Sequence, residues 1–223
     1  MSGAADRRAF QLVAFDLDGT LVDSLDDLAE STNALLTEYG LPTLPTDRIR
    51  VMVGEGAATL ITRAFTASDR PMPPGALSRF LAIYNSRLLA KTRPYPGIPE
   101  LLEALALRYP LAVLTNKPTD PTGQILAGLG LDRFFEGRIV GADGPFPRKP
   151  DPQGLRHLAS IAGAAPETTL LVGDTAIDWQ TARAAGASVC LAAYGFGFHT
   201  IPPEALEEAV FVATDPHKIL EFL

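Results

Sequence analysis

The fold is decided near the start of the chain by the stretch Gln11-Leu12-Val13-Ala14-Phe15-Asp16-Leu17-Asp18-Gly19-Thr20. The nearly continuous apolar run at residues 11–15 predicts a strand that is covered on both faces in a parallel sheet. Two carboxylates, Asp16 and Asp18, follow this run, and Gly19 marks a turn after them. The first predicted strand therefore ends in two acids at a turn.

Five further apolar runs predict strands, and helical patterns lie between them. The strands are predicted at residues 111–114, 138–141, 169–172, 188–192 and 209–212, and the helices at residues 99–107, 121–129, 152–162 and 179–185. Strands that alternate with helices in this way indicate an α/β fold with a doubly wound parallel-sheet, Rossmann-like core.

A long insertion follows the first predicted strand. Between Phe15 and Leu111 lie 95 residues, far more than a crossover between parallel strands needs. Most of this segment is helical in pattern, at residues 28–39, 48–65 and 77–89. We therefore predict an inserted α-helical cap subdomain at residues 22–90, and an α/β catalytic core formed by residues 1–21 and 91–223.

Composition excludes several classes of protein. The 223 residues include 19 Lys and Arg against 26 Asp and Glu, so the net charge of −7 argues against nucleic acid as a partner. The single cysteine, Cys190, fits a reducing compartment. No apolar run reaches the roughly 18 residues that span a membrane. Arg7-Arg8 faintly resembles an export signal, but Asp16 and Asp18 interrupt the apolar stretch after it. We therefore expect a cytoplasmic, soluble protein with no membrane partner.

Polar side chains follow three of the predicted strands and precede one of the predicted helices. Asp16 and Asp18 follow the first predicted strand, and Thr115-Asn116-Lys117 follows the second. Asp174 and Asp178 follow the strand predicted at residues 169–172, and Lys149 comes just before a predicted helix. Ligands bind at the carboxyl ends of the strands in an open α/β sheet. These side chains are therefore expected to meet in one crevice.

The chemistry of this set points to phosphoryl transfer. Gathered carboxylates repel one another unless a cation lies between them, and oxygen ligands without Cys or His select Mg²⁺. Lys149 would add positive charge and Thr115 a hydroxyl donor, which are the groups that stabilise a transferring phosphoryl group. One carboxylate can attack phosphorus, and a second can protonate the leaving oxygen.

Four motifs in order resemble those of the haloacid dehalogenase-like (HAD) superfamily. The segment at residues 16–24 resembles its first motif, and Thr115, Lys149, and Gly173-Asp174 with Asp178 resemble the second, third and fourth. The helical insertion and the segments at residues 50–56 and 94–97 resemble the phosphoglycolate phosphatase-like branch, which has a helical cap. The resemblance covers nearly the whole chain.

This resemblance implies the catalytic and metal-binding roles. Asp16 would be the nucleophile, Asp18 the general acid and base, and Lys149 would offset the charge of the nucleophile and the phosphoryl group. The Asp16 carboxylate, the Asp18 backbone carbonyl and Asp174 would hold Mg²⁺. Asp178 would act behind them, fixing Lys149 or a metal-bound water.

The resemblance also implies the substrate-binding roles. Thr115 and Asn116 would hold the phosphoryl group. Arg50, in the predicted cap, would bind a substrate carboxylate, although it could equally be a solvated helix residue.

The expected activity is the hydrolysis of a small phosphorylated metabolite, most simply 2-phosphoglycolate, by a monomer or homodimer. Other phosphatase substrates (a sugar phosphate, a nucleotide or pyrophosphate) and a phosphomutase stay open as alternatives. A receiver-type signalling domain that holds a phosphoaspartate is a rival of another class, but such a domain has about 120 residues and no helical insertion. A binding protein with a degenerate site is a further possibility, although each expected catalytic residue is present.

Overall fold

The computed structural model describes residues 10–223. In chain order, the strands of this part are β1 (Leu12–Phe15), β2 (Val22–Asp23), β3 (Arg93–Pro94), β4 (Leu111–Leu114), β5 (Ile139–Val140), β6 (Thr169–Gly173), β7 (Ser188–Ala192) and β8 (Phe211–Ala213). Six of them form a sheet in the order β5-β4-β1-β6-β7-β8 within these residues, and all of its neighbours are parallel. The predicted parallel α/β sheet is confirmed.

The helices of the described residues are α1 (Leu25–Glu38), α2 (Thr46–Arg50), α3 (Ala57–Thr66), α4 (Ala76–Asn85), α5 (Ile98–Ala106), α6 (Thr119–Gly128), α7 (Gln153–Ile161), α8 (Ala176–Ala185), α9 (Pro203–Glu208) and α10 (Pro216–Phe222). Strands β2 and β3 pair antiparallel, and helices α1–α4 lie between them in the chain. We call α1–α4 the cap helices. No helix within residues 10–223 is both long and apolar enough to cross a membrane.

The sheet is covered on both faces because its strands are apolar on both sides. In β1, Val13 and Phe15 belong to a core that α5, α6 and α10 complete, whereas Leu12 and Ala14 belong to a second core with α7, α8 and α9. Successive residues of a strand point to opposite faces. The two cores therefore confirm a doubly wound sheet.

The cap helices differ from the sequence pattern at one place. The single helical pattern predicted at residues 48–65 is two helices, because α2 ends at Arg50 and α3 begins at Ala57. Gly54 and Gly56 between them have φ values of 120° and 90°, a backbone conformation that glycine adopts at little cost and that ends a helix. The apolar periodicity continues across this break, so periodicity alone did not reveal it.

Asp27 of α1 ties the cap helices to the chain that returns to the core. Its Oδ2 accepts hydrogen bonds from the Lys91 amide at 2.8 Å, the Thr92 amide at 2.8 Å and the Thr92 hydroxyl at 2.9 Å. Arg87 Nε lies 3.5 Å from Oδ1 of the same carboxylate. Both Asp27 and Thr92 are fully buried, so these donors have no water to replace the carboxylate.

We expect Asp27→Ala to lower the free energy of unfolding by about 2–4 kcal/mol, because it leaves the buried donors of Thr92 without a partner and removes one of the two carboxylates that Arg87 pairs with. The neighbouring Asp26→Ala is the matched control, since the Asp26 side chain is 62% exposed and lies 3.9 Å from Lys91. It should change the free energy by less than about 0.5 kcal/mol. Urea denaturation measures both, and equal losses would contradict this account of Asp27.

Candidate active site

The polar residues singled out in the sequence meet at the carboxyl edge of the sheet. Asp16 follows β1, Thr115 follows β4 and Asp174 follows β6. Strands β4 and β6 are the two hydrogen-bonded neighbours of β1, so the three strand ends lie side by side. Lys149 comes to the same place from the loop before α7, and Asp178 from the first turn of α8.

Three carboxylates and one ammonium group form the centre of the site. Asp16, Asp174 and Asp178 each present a carboxylate oxygen within 4.8 Å of the others. Lys149 Nζ lies 2.9 Å from Asp16 Oδ1 and 2.6 Å from Asp178 Oδ1. All four residues are buried. The cluster therefore carries more negative than positive charge in a place that water barely reaches.

The two oxygens of Asp16 have different surroundings. Oδ1 accepts a hydrogen bond from the Leu17 amide at 2.7 Å and pairs with Lys149. Within residues 10–223, Oδ2 accepts no hydrogen bond, and Asp16 lines the cavity described below. One oxygen is thus fixed by the protein while the other stays free to react or to bind a ligand.

Asp174 lies in a cradle of backbone. The Gly197 amide donates to Asp174 Oδ2 at 2.7 Å, and the Thr20 hydroxyl donates to Oδ1 at 3.2 Å. A Cβ atom at Gly19 or Gly195 would overlap the Asp174 carboxylate. Sequence reasoning missed Thr20, Gly195 and Gly197, although two glycines soon after a strand on the same sheet edge were a usable signal.

The electrostatics of the cluster favour a bound cation. Burial raises the pKa of Asp16 to about 6. The positive charge of Lys149 lowers this pKa in part, and the negative charge of Asp178 raises it further. Burial also raises the pKa of Asp174 well above its usual value, and the charges of Asp16 and Asp178 add to this shift. Burial lowers the pKa of Lys149, but Asp16 and Asp178 more than compensate and hold it above its usual value. The residues fit a hard divalent cation such as Mg²⁺, because the donors are oxygens and their excess charge is negative.

Asp18 stands beside this cluster with partners of its own. Its Oδ1 accepts a hydrogen bond from Ser24 Oγ at 2.6 Å, and Lys117 Nζ lies 2.7 Å from Oδ2 and 3.0 Å from Oδ1. Lys117 also lies 4.7 Å from the centre of the Tyr84 ring of α4. Burial raises the pKa of Tyr84 to about 12, so its hydroxyl stays protonated.

A cavity lies between the sheet edge and the cap helices, about 600 Å³ including space open to solvent. Asp16, Asp18, Thr115, Asn116 and Lys117 line it from the core side. The other side is mostly apolar and comes from residues 28–85, for example Val53, Leu60, Phe80 and Tyr84.

Of the three predicted substrate-binding residues, Thr115 and Asn116 line the cavity, whereas Arg50 does not. Asn116 Nδ2 donates to the Lys149 carbonyl at 3.1 Å and to the Gly54 carbonyl at 3.3 Å. Its carboxamide therefore joins the loop that carries Lys149 to the turn between α2 and α3. Thr115 lines the cavity beside it. Arg50, by contrast, lies outside the residues that line the cavity, is about half exposed and pairs with Asp47 at 3.4 Å.

Residues 13–192 match the family model of the haloacid dehalogenase-like hydrolases, so the chain belongs to this family. Within it, the chain is similar to the phosphoglycolate phosphatase of Rhodospirillum rubrum, with 43% identity over 194 residues that cover 82% of this chain and 80% of that protein. The phosphoglycolate phosphatase of Haemophilus influenzae (strain 86-028NP) is 37% identical over 211 residues, which cover 91% of this chain and 94% of that one. The family expected from the four motifs is thereby confirmed.

The fold of the chain is also similar to that of solved structures. The crystal structure of a predicted phosphoglycolate phosphatase from Haemophilus somnus 129PT has a TM-score of 0.87 and 33% identity, and the match covers 98% of this chain and 99% of that one. The similarity thus includes the cap helices as well as the sheet.

We expect Asp16→Asn to raise the Tm of the metal-free protein at pH 7.5 by at least about 3 °C, because ionised Asp16 is destabilising where its folded pKa of about 6 exceeds the unfolded value of 3.8. As the pH falls through 6 towards 4, the folded wild type takes up the proton more readily than the unfolded chain, so the difference in Tm should shrink.

Asp143→Asn is the control with the opposite sign. Hydrogen bonds from the Thr119 amide and hydroxyl lower the pKa of Asp143, so this substitution should lower the Tm slightly at pH 7.5. Calorimetry in EDTA from pH 4 to 8 measures both variants. An Asp16→Asn protein that is less stable than the wild type at pH 7.5 would show that the carboxylate cluster carries no excess charge.

Proposed function

We propose that this chain is a Mg²⁺-dependent phosphomonoester hydrolase that forms an aspartyl phosphate at Asp16, with a small phosphorylated acid such as 2-phosphoglycolate as its substrate. The observation that carries this proposal is the state of Asp16, a residue that lines the cavity, with one oxygen held by Lys149 and the Leu17 amide and the other without a hydrogen bond among the described residues. A fixed carboxylate with one free oxygen is the arrangement that nucleophilic attack on phosphorus needs.

Asp16 and Lys149 act in the first half of the reaction. A bond forms between Asp16 and phosphorus while the bond from phosphorus to the ester oxygen of the substrate breaks. Lys149, 2.9 Å from Asp16, offsets the negative charge of the nucleophile and the phosphoryl group. Thr115 and Asn116 line the same cavity and would hold the phosphoryl oxygens, Thr115 through its hydroxyl and Asn116 through its backbone amide, because the Asn116 side-chain amide already donates to two carbonyls.

Asp18 moves the protons. It gives a proton to the ester oxygen as the alcohol leaves, and then takes one from the water that hydrolyses the aspartyl phosphate. The Ser24 hydroxyl and the Lys117 ammonium group fix the Asp18 carboxylate at the cavity. From there it would act on both the ester oxygen and the water.

The carboxylates of Asp16 and Asp174, with the Asp18 backbone carbonyl, would hold Mg²⁺. When bound, the cation would neutralise the carboxylates and the phosphate, so that the two anions can approach each other. Asp178 is a positioning residue rather than a ligand in this proposal. Its Oδ1 pairs with Lys149, and its Oδ2 accepts hydrogen bonds from the Thr175 amide and hydroxyl at 3.0 and 2.6 Å.

Residues 22–90 act as a cap over a core of residues 1–21 and 91–223, of which residues 1–9 lie outside the described part of the chain. The apolar side chains of the cap close one side of the cavity, which favours a small substrate and excludes water until the aspartyl phosphate has formed. The relatives named phosphoglycolate phosphatase support 2-phosphoglycolate within this class. The single cysteine is free and buried, which supports a place in the cytoplasm. The proposed enzyme is a monomer or a homodimer.

The direct test is release of inorganic phosphate with Mg²⁺ from 2-phosphoglycolate, beside a panel of sugar phosphates, nucleotides and pyrophosphate. We expect a preference for 2-phosphoglycolate, loss of activity in EDTA, and at least about a 1,000-fold loss in kcat for Asp16→Asn, because the amide cannot attack phosphorus.

Other results would each contradict a part of the proposal. Isomer formation without phosphate release would indicate a mutase, and a phosphoaspartate that persists for minutes without turnover would indicate a receiver. Preference for another phosphate ester would replace the substrate and keep the mechanism. Full activity of Asp16→Asn would overturn the mechanism itself.

A further inference from the structure

We infer that Lys117, together with the Tyr84 hydroxyl, binds the carboxylate of the substrate and selects small phosphate esters that carry an acid group. This assigns a substrate-binding role to two residues that the proposed reaction does not otherwise use for recognition. It rests on the proposed function.

Charge singles out Lys117. Among the described residues that line the cavity, Lys117 is the one positively charged side chain. It is 5% exposed, so its charge acts with little screening by water. Lys149 lies behind Asp16 and already faces two carboxylates, and it is not among the residues that line the cavity. Lys117 is therefore the positive group that a second anionic group of the substrate would contact in the cavity.

The distance between Lys117 and Asp18 limits how far the acid group of the substrate can lie from the ester oxygen. Lys117 Nζ is 2.7 Å from Asp18 Oδ2, and Asp18 must come within a hydrogen bond, about 3 Å, of the ester oxygen that it protonates. The ammonium group is therefore within about 6 Å of that oxygen. A carboxylate separated from the ester oxygen by one carbon falls inside this range and can contact Lys117.

Donor capacity agrees with this role. An ammonium group has three N–H donors, and in the described chain the hydrogen bonds of Lys117 Nζ go to the two oxygens of one carboxylate, Asp18. The third N–H can donate to the neighbouring Tyr84 hydroxyl or to a ligand that binds between the two groups. The Tyr84 ring, 4.7 Å from Nζ, limits the directions from which a ligand can come.

Tyr84 supplies the second observation. It is 3% exposed, and although its hydroxyl interacts with the Lys117 ammonium group, no group among residues 10–223 accepts the hydroxyl proton. A carboxylate bound to Lys117 would accept the hydrogen bond that this buried hydroxyl can donate. Because Tyr84 belongs to α4, the acid group of the substrate would bridge the core and the cap helices.

The test compares two substrates of similar size, 2-phosphoglycolate and ethyl phosphate, which lacks the carboxylate. The measured quantity is the ratio of their kcat/KM values. Lys117→Met keeps the length of the side chain and removes the charge, and we expect it to lower this ratio roughly 100-fold. Tyr84→Phe leaves the Lys117–Asp18 pair in place, and we expect it to lower the ratio roughly 5-fold, mainly through KM. Lys218→Met, on the exposed side of α10, is the matched control and should leave the ratio unchanged.

The ratio of the two kcat/KM values shows whether Lys117 binds the substrate carboxylate or only positions Asp18. If Lys117 served only to hold Asp18, both substrates would lose activity equally and the ratio would stay constant, which would overturn the inference. A ratio that falls for Arg50→Ala but not for Lys117→Met or Tyr84→Phe would overturn it in favour of Arg50. Should Lys117→Met fail to fold, Tyr84→Phe decides by the same ratio. A wild type that hydrolyses both esters equally would refute the inference and keep the phosphatase, whereas one that hydrolyses neither would refute the proposed function and this inference with it.

Discussion

The structure depends on how buried negative charge is balanced at the carboxyl ends of β1 and β6. Two neighbouring parallel strands end in Asp16 and Asp174, and Asp178 follows one helical turn later. Lys149 neutralises part of this charge, and burial still raises the pKa values of Asp16 and Asp174. Such a cluster costs stability, and a cation bound between the carboxylates would offset this cost.

The cap helices depend on the core for their position and complete its cavity in return. Asp27 fixes the start of α1 to the returning chain at Lys91 and Thr92, and the Asn116 amide contacts the turn at Gly54. Through these contacts the apolar residues of α3 and α4 face the carboxylates across a short distance. The cavity therefore combines a polar floor that can carry out chemistry with an apolar wall that limits the size of a substrate.

The sequence predicted the sheet well because buried parallel strands are short apolar runs, and residues 111–114 and 188–192 are strands at the predicted bounds. Convergence of Asp16 and Asp174 followed from the parallel-sheet rule alone. The break between α2 and α3 was not predicted, because the apolar period runs through Gly54 and Gly56. The contact of Lys117 with Tyr84 could not be predicted either, since it joins a strand end to a helix about 30 residues away along the chain, and only the packing of the cap helices shows it.

The central claim is that Asp16 is the nucleophile, and trapping its phosphorylated form tests this most directly. The enzyme would be mixed with 2-phosphoglycolate and Mg²⁺, quenched in acid during turnover, and treated with borohydride, which reduces an aspartyl phosphate to homoserine. Peptide mass spectrometry then locates the change. We predict homoserine at position 16, and its absence from Asp16→Asn. Steady turnover with no modified residue at position 16, or with the change at Asp18 or Asp174 instead, would contradict the account.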